Sequence, residues 1–176
     1  RRHSSAASDV YKRQIQSKVP SDNVDEVVMG QVLTGNTGQN PARQASLNAG
    51  IPNSKTAYLI NQVCGSGLRS IALAYQSILS KDAKIVIAGG QESMTNCDKN
   101  VMLKDGLIDV YNKYHMGVTA ENVADKWNIS RKEQDQFAYD SQIKTKNALK
   151  KNKFEDELID DFNDIDEHPR PDVTLE

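Results

Sequence analysis

The chain has 176 residues, which is enough for one domain or for a core with an appended unit. Its 22 lysine and arginine residues nearly balance 24 aspartate and glutamate residues, so the net charge of −2 gives no basic surface typical of nucleic-acid binding. No apolar run approaches the roughly 20 residues that cross a bilayer. The composition therefore predicts neither a nucleic-acid partner nor a membrane partner.

The first segment, residues 1–14, shows no hydrophobic periodicity. We interpret it as a non-native leader and exclude it from fold prediction. A flexible native tail is the alternative interpretation.

Residues 15–96 alternate strand patterns with helix patterns. Strands are predicted at 24–33, 57–60 and 84–88, where β-branched and apolar residues cluster. A helix is predicted to begin at Pro41 and to end at Gly50, because proline favours the first turn and glycine favours the position after the last. Strands alternating with helices predict an α/β fold with a largely parallel sheet.

The region after Met94 is more polar and reads as helical. Short helices are predicted at 105–111 and 119–127. Ser130 followed by Glu133 is a capping box, which predicts a long helix whose inner face includes Phe137. The acidic segment 155–167 is predicted to be an exposed loop.

Cys64 is the strongest candidate for a chemical role. It lies between the strand pattern at 57–60 and a helical pattern of apolar residues that begins at Leu68. A thiol at the N-terminus of a helix faces free backbone N–H groups and the positive end of the helix dipole, and both favour the thiolate. Gly65 and Gly67 remove side chains where an acyl group would approach the backbone. The pattern indicates an acyl-accepting nucleophile, and an inert core cysteine is the alternative.

Five segments of the chain resemble the thiolases in the order of that family, in particular its short-chain biosynthetic acetyl-CoA acetyltransferases. They are 24–33, 38–45, 61–68 (Asn-Gln-Val-Cys-Gly-Ser-Gly-Leu), 88–94 and 114–124. The resemblance extends over most of the chain from about Ile15 onward.

The resemblance implies a thiolase-like layered α/β fold, represented by the N-terminal half of the core plus a helical loop domain, and truncated. On this basis residues 15–96 are a partial N-terminal core, and 97–176 are a shortened loop domain. The implied reaction condenses two acetyl-CoA molecules to acetoacetyl-CoA, or runs in reverse, through an acetyl-cysteine at Cys64. Coenzyme A thioesters are the substrates, and no cofactor and no metal site are expected.

His115 and Met116 match the family's Tyr-His-Met-Gly loop, which implies that they contact the substrate. The alternative is a surface histidine beside a packing methionine. Cys97 matches no motif of the family, and we expect no catalytic role for it.

The chain departs from the family pattern in two ways. The Gly-His-Pro and Cys-x-Gly segments of the second core half do not occur in it. The connection from Met94 to Asp105 is short, and so is the one from Leu158 to Asp166. We therefore expect little or no condensing activity from this chain alone.

Two other functions stay open: a 3-ketoacyl-CoA thiolase that acts on longer chains in β-oxidation, and a non-catalytic thiolase-like protein that binds acyl groups or lipid. For the complete protein the resemblance implies a homo-oligomer. A reactive thiol implies a reducing compartment, which we take to be the cytoplasm.

Overall fold

A computed structural model describes residues 5–158 and 168–175. Within them the chain forms three strands and six α-helices, with a short 3-10 turn at Ser21–Asn23 and a π-helical turn at Leu103–Leu107. The elements, in chain order, are α1 (Ser5–Ser17), β1 (Glu26–Gly30), α2 (Pro41–Asn48), β2 (Thr56–Ile60), α3 (Ser66–Leu79), β3 (Val86–Gly90), α4 (Lys99–Met102), α5 (Met116–Trp127) and α6 (Arg131–Lys150). No helix in these ranges is long and apolar enough to cross a membrane.

The three strands form one parallel sheet in the order β2-β1-β3. Helix α2 connects β1 to β2, and α3 connects β2 to β3 in the opposite direction, so right-handed crossovers place the two helices on opposite faces. Alternate side chains of β1 agree with this: Val27 and Met29 lie in the core with α1 and α2, whereas Gly30 contacts α3. The predicted mixed α/β fold with a parallel sheet is confirmed.

Helix α1 corrects the interpretation of residues 1–14. From Ser5 the segment is helical, and Ala7 and Val10 are each 2% exposed within the core beside β1 and α2. Two small apolar residues three positions apart give too weak a periodic signal to reveal a buried helix face. The segment takes part in the fold, while its non-native origin stays a prediction.

Helix α3 has a small polar inner face and an apolar outer face. Ser66, Ser70 and Ala74 are buried against the sheet, and the Ser70 hydroxyl donates to Gly89 O at 2.8 Å. The predicted apolar stripe lies on the other side, where Leu68 is 76% exposed and Tyr75 is 63% exposed. Helices therefore pack on both faces of the sheet, and the outer surface of α3 is apolar and exposed.

The chain divides into two compact units, 1–108 and 109–176. This boundary lies beyond the predicted one at residue 96, and the core and loop-domain assignments stay predictions.

In the second unit the Ser130–Glu133 capping box is present, as predicted. Two expectations are wrong: Phe137 is 79% exposed, and the helical turns predicted at 105–111 instead span 99–107, because Asp98 caps α4 through the N–H groups of Asn100 and Val101. Part of the acidic segment, 159–167, lies outside the described residues.

Candidate active site

Cys64 lies in the turn between β2 and α3, at the carboxyl end of the parallel strands. Gly65 is the N-cap residue of α3, so the cysteine immediately precedes the first residues of the helix. Residues 61–65 are all exposed. The predicted position of the thiol, between a strand and a helix N-terminus, is confirmed. The alternative of a buried core cysteine is wrong, because Cys64 is exposed.

A buried hydroxyl holds this turn from inside. Ser66 is 3% exposed, and its Oγ accepts from Gln62 N at 2.8 Å and donates to Val63 O at 2.6 Å. Two backbone bonds run parallel to it, from Gly65 N to Gln62 O and from Ser66 N to Val63 O. These hydrogen bonds thus fix the backbone on both sides of Cys64, while its side chain stays exposed.

The residue before the cysteine adopts a rare conformation. Val63 has a φ of +49°, and a β-branched residue rarely occupies this left-handed region because its side chain crowds the backbone. The Asn61 side chain supports it by accepting from Val63 N at 2.9 Å. Such strain costs on the order of 1–3 kcal/mol and persists only where neighbouring contacts enforce it.

Close backbone packing fixes the start of α3 above β1. A Cβ on Gly30 would lie 2.4 Å from the carbonyl carbon of Ser66 and 2.6 Å from Gly67 N. A Cβ on Gly67, in turn, would lie 4.0 Å from the Cα of Gly90 at the end of β3. Gly30 is therefore the position where a side chain would overlap the start of α3, whereas a side chain at Gly67 would make only ordinary van der Waals contact.

Two backbone hydrogen bonds and one side-chain hydrogen bond connect the ends of the three strands. Gln91 N donates to Gly30 O at 2.9 Å, and the Gln91 side chain donates to Gln31 Oε1 at 2.7 Å. Gln31 N donates to Ile60 O at 3.1 Å, one residue before Asn61. The strand ends beneath the cysteine turn are therefore joined across the whole width of the sheet.

The backbone at Cys64 lies beside the start of α3. Cys64 immediately precedes Gly65, the N-cap residue of the helix, and forms an isolated parallel bridge with Gln62. A backbone N–H next to a nucleophilic sulfur can donate to an oxyanion that forms on an attacked carbonyl. The chain thus brings an exposed thiol and a helix N-terminus to one turn.

The second unit contains the other two predicted site residues. His115 is the N-cap of α5, where its Nδ1 accepts from Gly117 N at 2.9 Å. Met116 is the first residue of the helix and is 37% exposed. The histidine ring thus has a capping role, which sequence reasoning missed, and its contact with substrate stays a prediction.

Three residues of the cysteine turn and its surroundings were not predicted: Ser66, Asn61 and Glu92. Ser66 is the first residue of α3, and its hydroxyl bonds back to Gln62 and Val63, a role that its place in the motif does not reveal. Cys97 is a free, partly buried thiol. Over 5–158 and 168–175 no three His, Cys, Asp or Glu side chains are grouped so that they could hold a metal ion.

Comparison with known proteins places the whole described chain in one family. The family model "Thiolase, N-terminal domain" matches residues 5–102 and 96–176. The match begins inside the segment predicted as a leader. Its two parts meet at 96–102, within the connection predicted to be short.

The curated proteins that the chain matches point to the same family. The chain is 50% identical to an acetyl-CoA acetyltransferase of Paracoccus denitrificans, over 89% of this chain and 46% of that protein. It is 46% identical to the acetyl-CoA acetyltransferase of Rhizobium meliloti, over 90% of this chain and 47% of that protein. A probable acetyl-CoA acyltransferase of Staphylococcus epidermidis is 44% identical, over 81% of this chain and 41% of that protein.

The chain therefore spans about half the length of the curated relatives it matches. Its alignment to the Paracoccus protein runs over 182 positions, more than the 176 residues of the chain, so this chain lacks residues that the relative has. Since the family model covers both compact units, the chain belongs to the thiolase family and carries its N-terminal domain.

Proposed function

We propose that this chain is the acyl-accepting part of an acetyl-CoA acetyltransferase, with Cys64 as its nucleophile. The observation that carries the proposal is the exposed thiol on a strained turn at the N-terminus of α3. The names of the relatives supply the substrate class, since they are acetyl-CoA acetyltransferases.

The Cys64 sulfur, as the thiolate, attacks the carbonyl carbon of acetyl-CoA. The Cys64 N–H can donate to the oxyanion of the tetrahedral intermediate. Collapse of the intermediate breaks the bond to the coenzyme A sulfur, which leaves as a thiolate, and the acetyl group stays on Cys64. Attack by the enolate of a second acetyl-CoA would then form acetoacetyl-CoA and release the cysteine.

The second half of this cycle needs a base to form the enolate. The Gly-His-Pro and Cys-x-Gly segments that supply it in the family do not occur among these 176 residues. We therefore propose that the chain alone accepts an acetyl group but does not condense two of them.

The experiment is intact-mass analysis of the chain after incubation with acetyl-CoA. We expect the mass of one acetyl group to be added, to be removed by hydroxylamine, and to be absent from Cys64→Ala. Cys97→Ser is the matched control because it removes the other thiol, and it should still be acetylated. Acetylation that persists in Cys64→Ala would refute the role of Cys64.

A broader acyl specificity is the second candidate, and the name of the Staphylococcus relative, an acyltransferase, favours it. Competing acetyl-CoA against a longer-chain acyl-CoA in the same mass assay separates the two. Preferential transfer of the longer chain would indicate a 3-ketoacyl-CoA thiolase. Binding of acyl-CoA without any adduct would indicate a non-catalytic protein.

We further propose a reducing, cytoplasmic setting, a homo-oligomer for the complete protein, and a place in fatty-acid metabolism. The reactive thiol supports the first, because disulfide-forming compartments would oxidise it. The exposed apolar face of α3 supports the second, because such patches are commonly covered by protein. We propose that coenzyme A thioesters act as substrates, with no further cofactor and with no nucleic acid as partner.

A further inference from the structure

We propose that Glu92 is a positioning residue for the Cys64 turn, acting through Val32 and Asn61. The inference rests on the proposed function only in taking Cys64 as the nucleophile. Glu92 follows β3 and lies 28 residues beyond the cysteine in sequence, so its connection to the turn is visible only in the folded chain.

Glu92 contacts the backbone that follows β1. The carboxylate accepts from Val32 N at 2.9 Å through Oε2, and from Leu33 N through both oxygens, at 3.2 Å to Oε1 and 3.3 Å to Oε2. These are charge-assisted bonds to consecutive backbone amides, a type roughly twice as strong as a bond between neutral groups. The carboxylate therefore fixes the position of the Val32 peptide group relative to β3.

Further contacts lead from Val32 to the cysteine turn. Val32 O accepts from Asn61 Nδ2 at 3.4 Å, and the other end of the same amide, Oδ1, accepts from Val63 N at 2.9 Å. One side chain thus joins the end of β1 to the strained residue that precedes Cys64. The bond from Asn61 Nδ2 to Val32 O is the longest in this series of contacts. It therefore depends most on Val32 being held in place.

Replacing Glu92 changes what faces the two amides. The carboxylate is negatively charged and accepts through both oxygens, whereas the amide of glutamine is neutral and offers one oxygen beside an NH2 group. Glu92→Gln therefore keeps the shape of the side chain but loses the charge and every bond made through one of the two oxygens. Glu92→Ala loses all of these bonds.

The test uses the full 176-residue chain with Cys97→Ser, so that Cys64 is its only thiol. Amide hydrogen exchange is measured by NMR, together with the rate at which iodoacetamide alkylates Cys64. The variants are Glu92→Gln, Glu92→Ala, Asn61→Ala and the double variant Glu92→Ala/Asn61→Ala. Asp22→Asn is the matched control, because it removes an exposed carboxylate on the 3-10 turn.

We expect Glu92→Gln to raise exchange at Val32 or Leu33 by about tenfold, as loss of one charged hydrogen bond implies. Exchange at Val63 should rise by about threefold or more, and the alkylation rate of Cys64 should move toward that of free cysteine. Exchange at Val27, which is buried within β1, should not change, and Asp22→Asn should match the parent chain. In the double variant, exchange at Val63 should be no faster than in Asn61→Ala alone, because the effects of substitutions in one series of contacts do not add.

The proposal is overturned if Glu92→Gln and Glu92→Ala raise exchange at residues 32–33 while Val63 and the Cys64 rate stay as in the parent. It is also overturned if exchange at Val27 rises in step with Val63, because Glu92 would then only support the fold. Neither readout needs acetyl-CoA. A chain that couples Glu92 to Val63 but never becomes acetylated would refute the proposed function and leave the positioning role intact.

Discussion

Replacing Gly30 by alanine tests whether the backbone contact between β1 and α3 holds the cysteine turn. The added Cβ would lie 2.4 Å from the Ser66 carbonyl carbon and 2.6 Å from Gly67 N, and both are backbone atoms that cannot rotate away. Reaching even 3.0 Å requires α3 or β1 to move by about 0.6 Å, because dense interiors transmit such overlaps instead of absorbing them. The helix that would move carries the Cys64 turn at its N-terminus.

The size of the effect follows from the contact. Overpacking costs about 1–3 kcal/mol where side chains can adjust, and more where backbone must move, so we expect Gly30→Ala to lower the free energy of unfolding by about 3 kcal/mol. Gly89 is the matched control. It lies in β3 opposite Met29, and a Cβ there would meet only the Met29 thioether, at 3.9 Å or more. Gly89→Ala should therefore be neutral, or stabilising by up to about 1 kcal/mol, since alanine restricts the unfolded chain more than glycine.

The assay is urea denaturation followed by far-ultraviolet circular dichroism, with the alkylation rate of Cys64 measured on the same samples in the Cys97→Ser background. We expect Gly30→Ala to lower the urea midpoint and to change the alkylation rate, while Gly89→Ala changes neither appreciably. If the two alanine variants unfold within about 0.5 kcal/mol of each other, the contact between β1 and α3 does not constrain the turn as described.

Three further predictions concern other parts of the chain. The backbone N–H groups of Lys84 and Ile85, just before β3, lower the pKa of Asp25. Its stabilising contribution is therefore present above the ordinary aspartate pKa and is lost as pH falls below it. Asp25→Asn should flatten the acid side of a stability profile measured by urea midpoints, and an unchanged profile would contradict this. Ser130→Ala removes the α6 cap and should lower stability of that helix by about 1 kcal/mol, read from its amide exchange, whereas Ser130→Thr should not. The double variant Leu68→Gln/Tyr75→Lys should reduce self-association of the chain in light scattering; undiminished association would show that another surface is responsible.

The sequence predicted those elements whose signals are local. The turn at Cys64 lies between an apolar strand and a periodic helix, and the α6 cap is defined by two residues three positions apart. Helix α2 begins at Pro41 as expected, and Gly50 follows it with a φ of +86°. In each case a signal in neighbouring residues marks where the element begins or ends, although tertiary contacts also hold the Cys64 turn.

What the sequence did not reveal depends on partners far along the chain. Glu92 binds amides about 60 residues earlier, and nothing near it in sequence indicates that contact. Periodicity likewise marks an apolar face on α3 without saying what covers it, and in this chain Leu68 is exposed. Helix α1 was missed because its buried stripe consists of small residues such as Ala7.

The strand order also determines how this sheet can assemble. The central strand, β1, is the first of the three along the chain, and it pairs with β2 across 30 residues and with β3 across 60. Doubling the closed loop adds about 0.6 kcal/mol of entropy cost, so the β1–β2 pair is favoured to form first and β3 to join last. Mutations in β2, such as Ala57→Gly, should then slow refolding, whereas Ile87→Val in β3 should chiefly accelerate unfolding. Since α3 is anchored by β3 as well as β1, the reactive turn is expected to reach its final geometry only in the closing stage of folding.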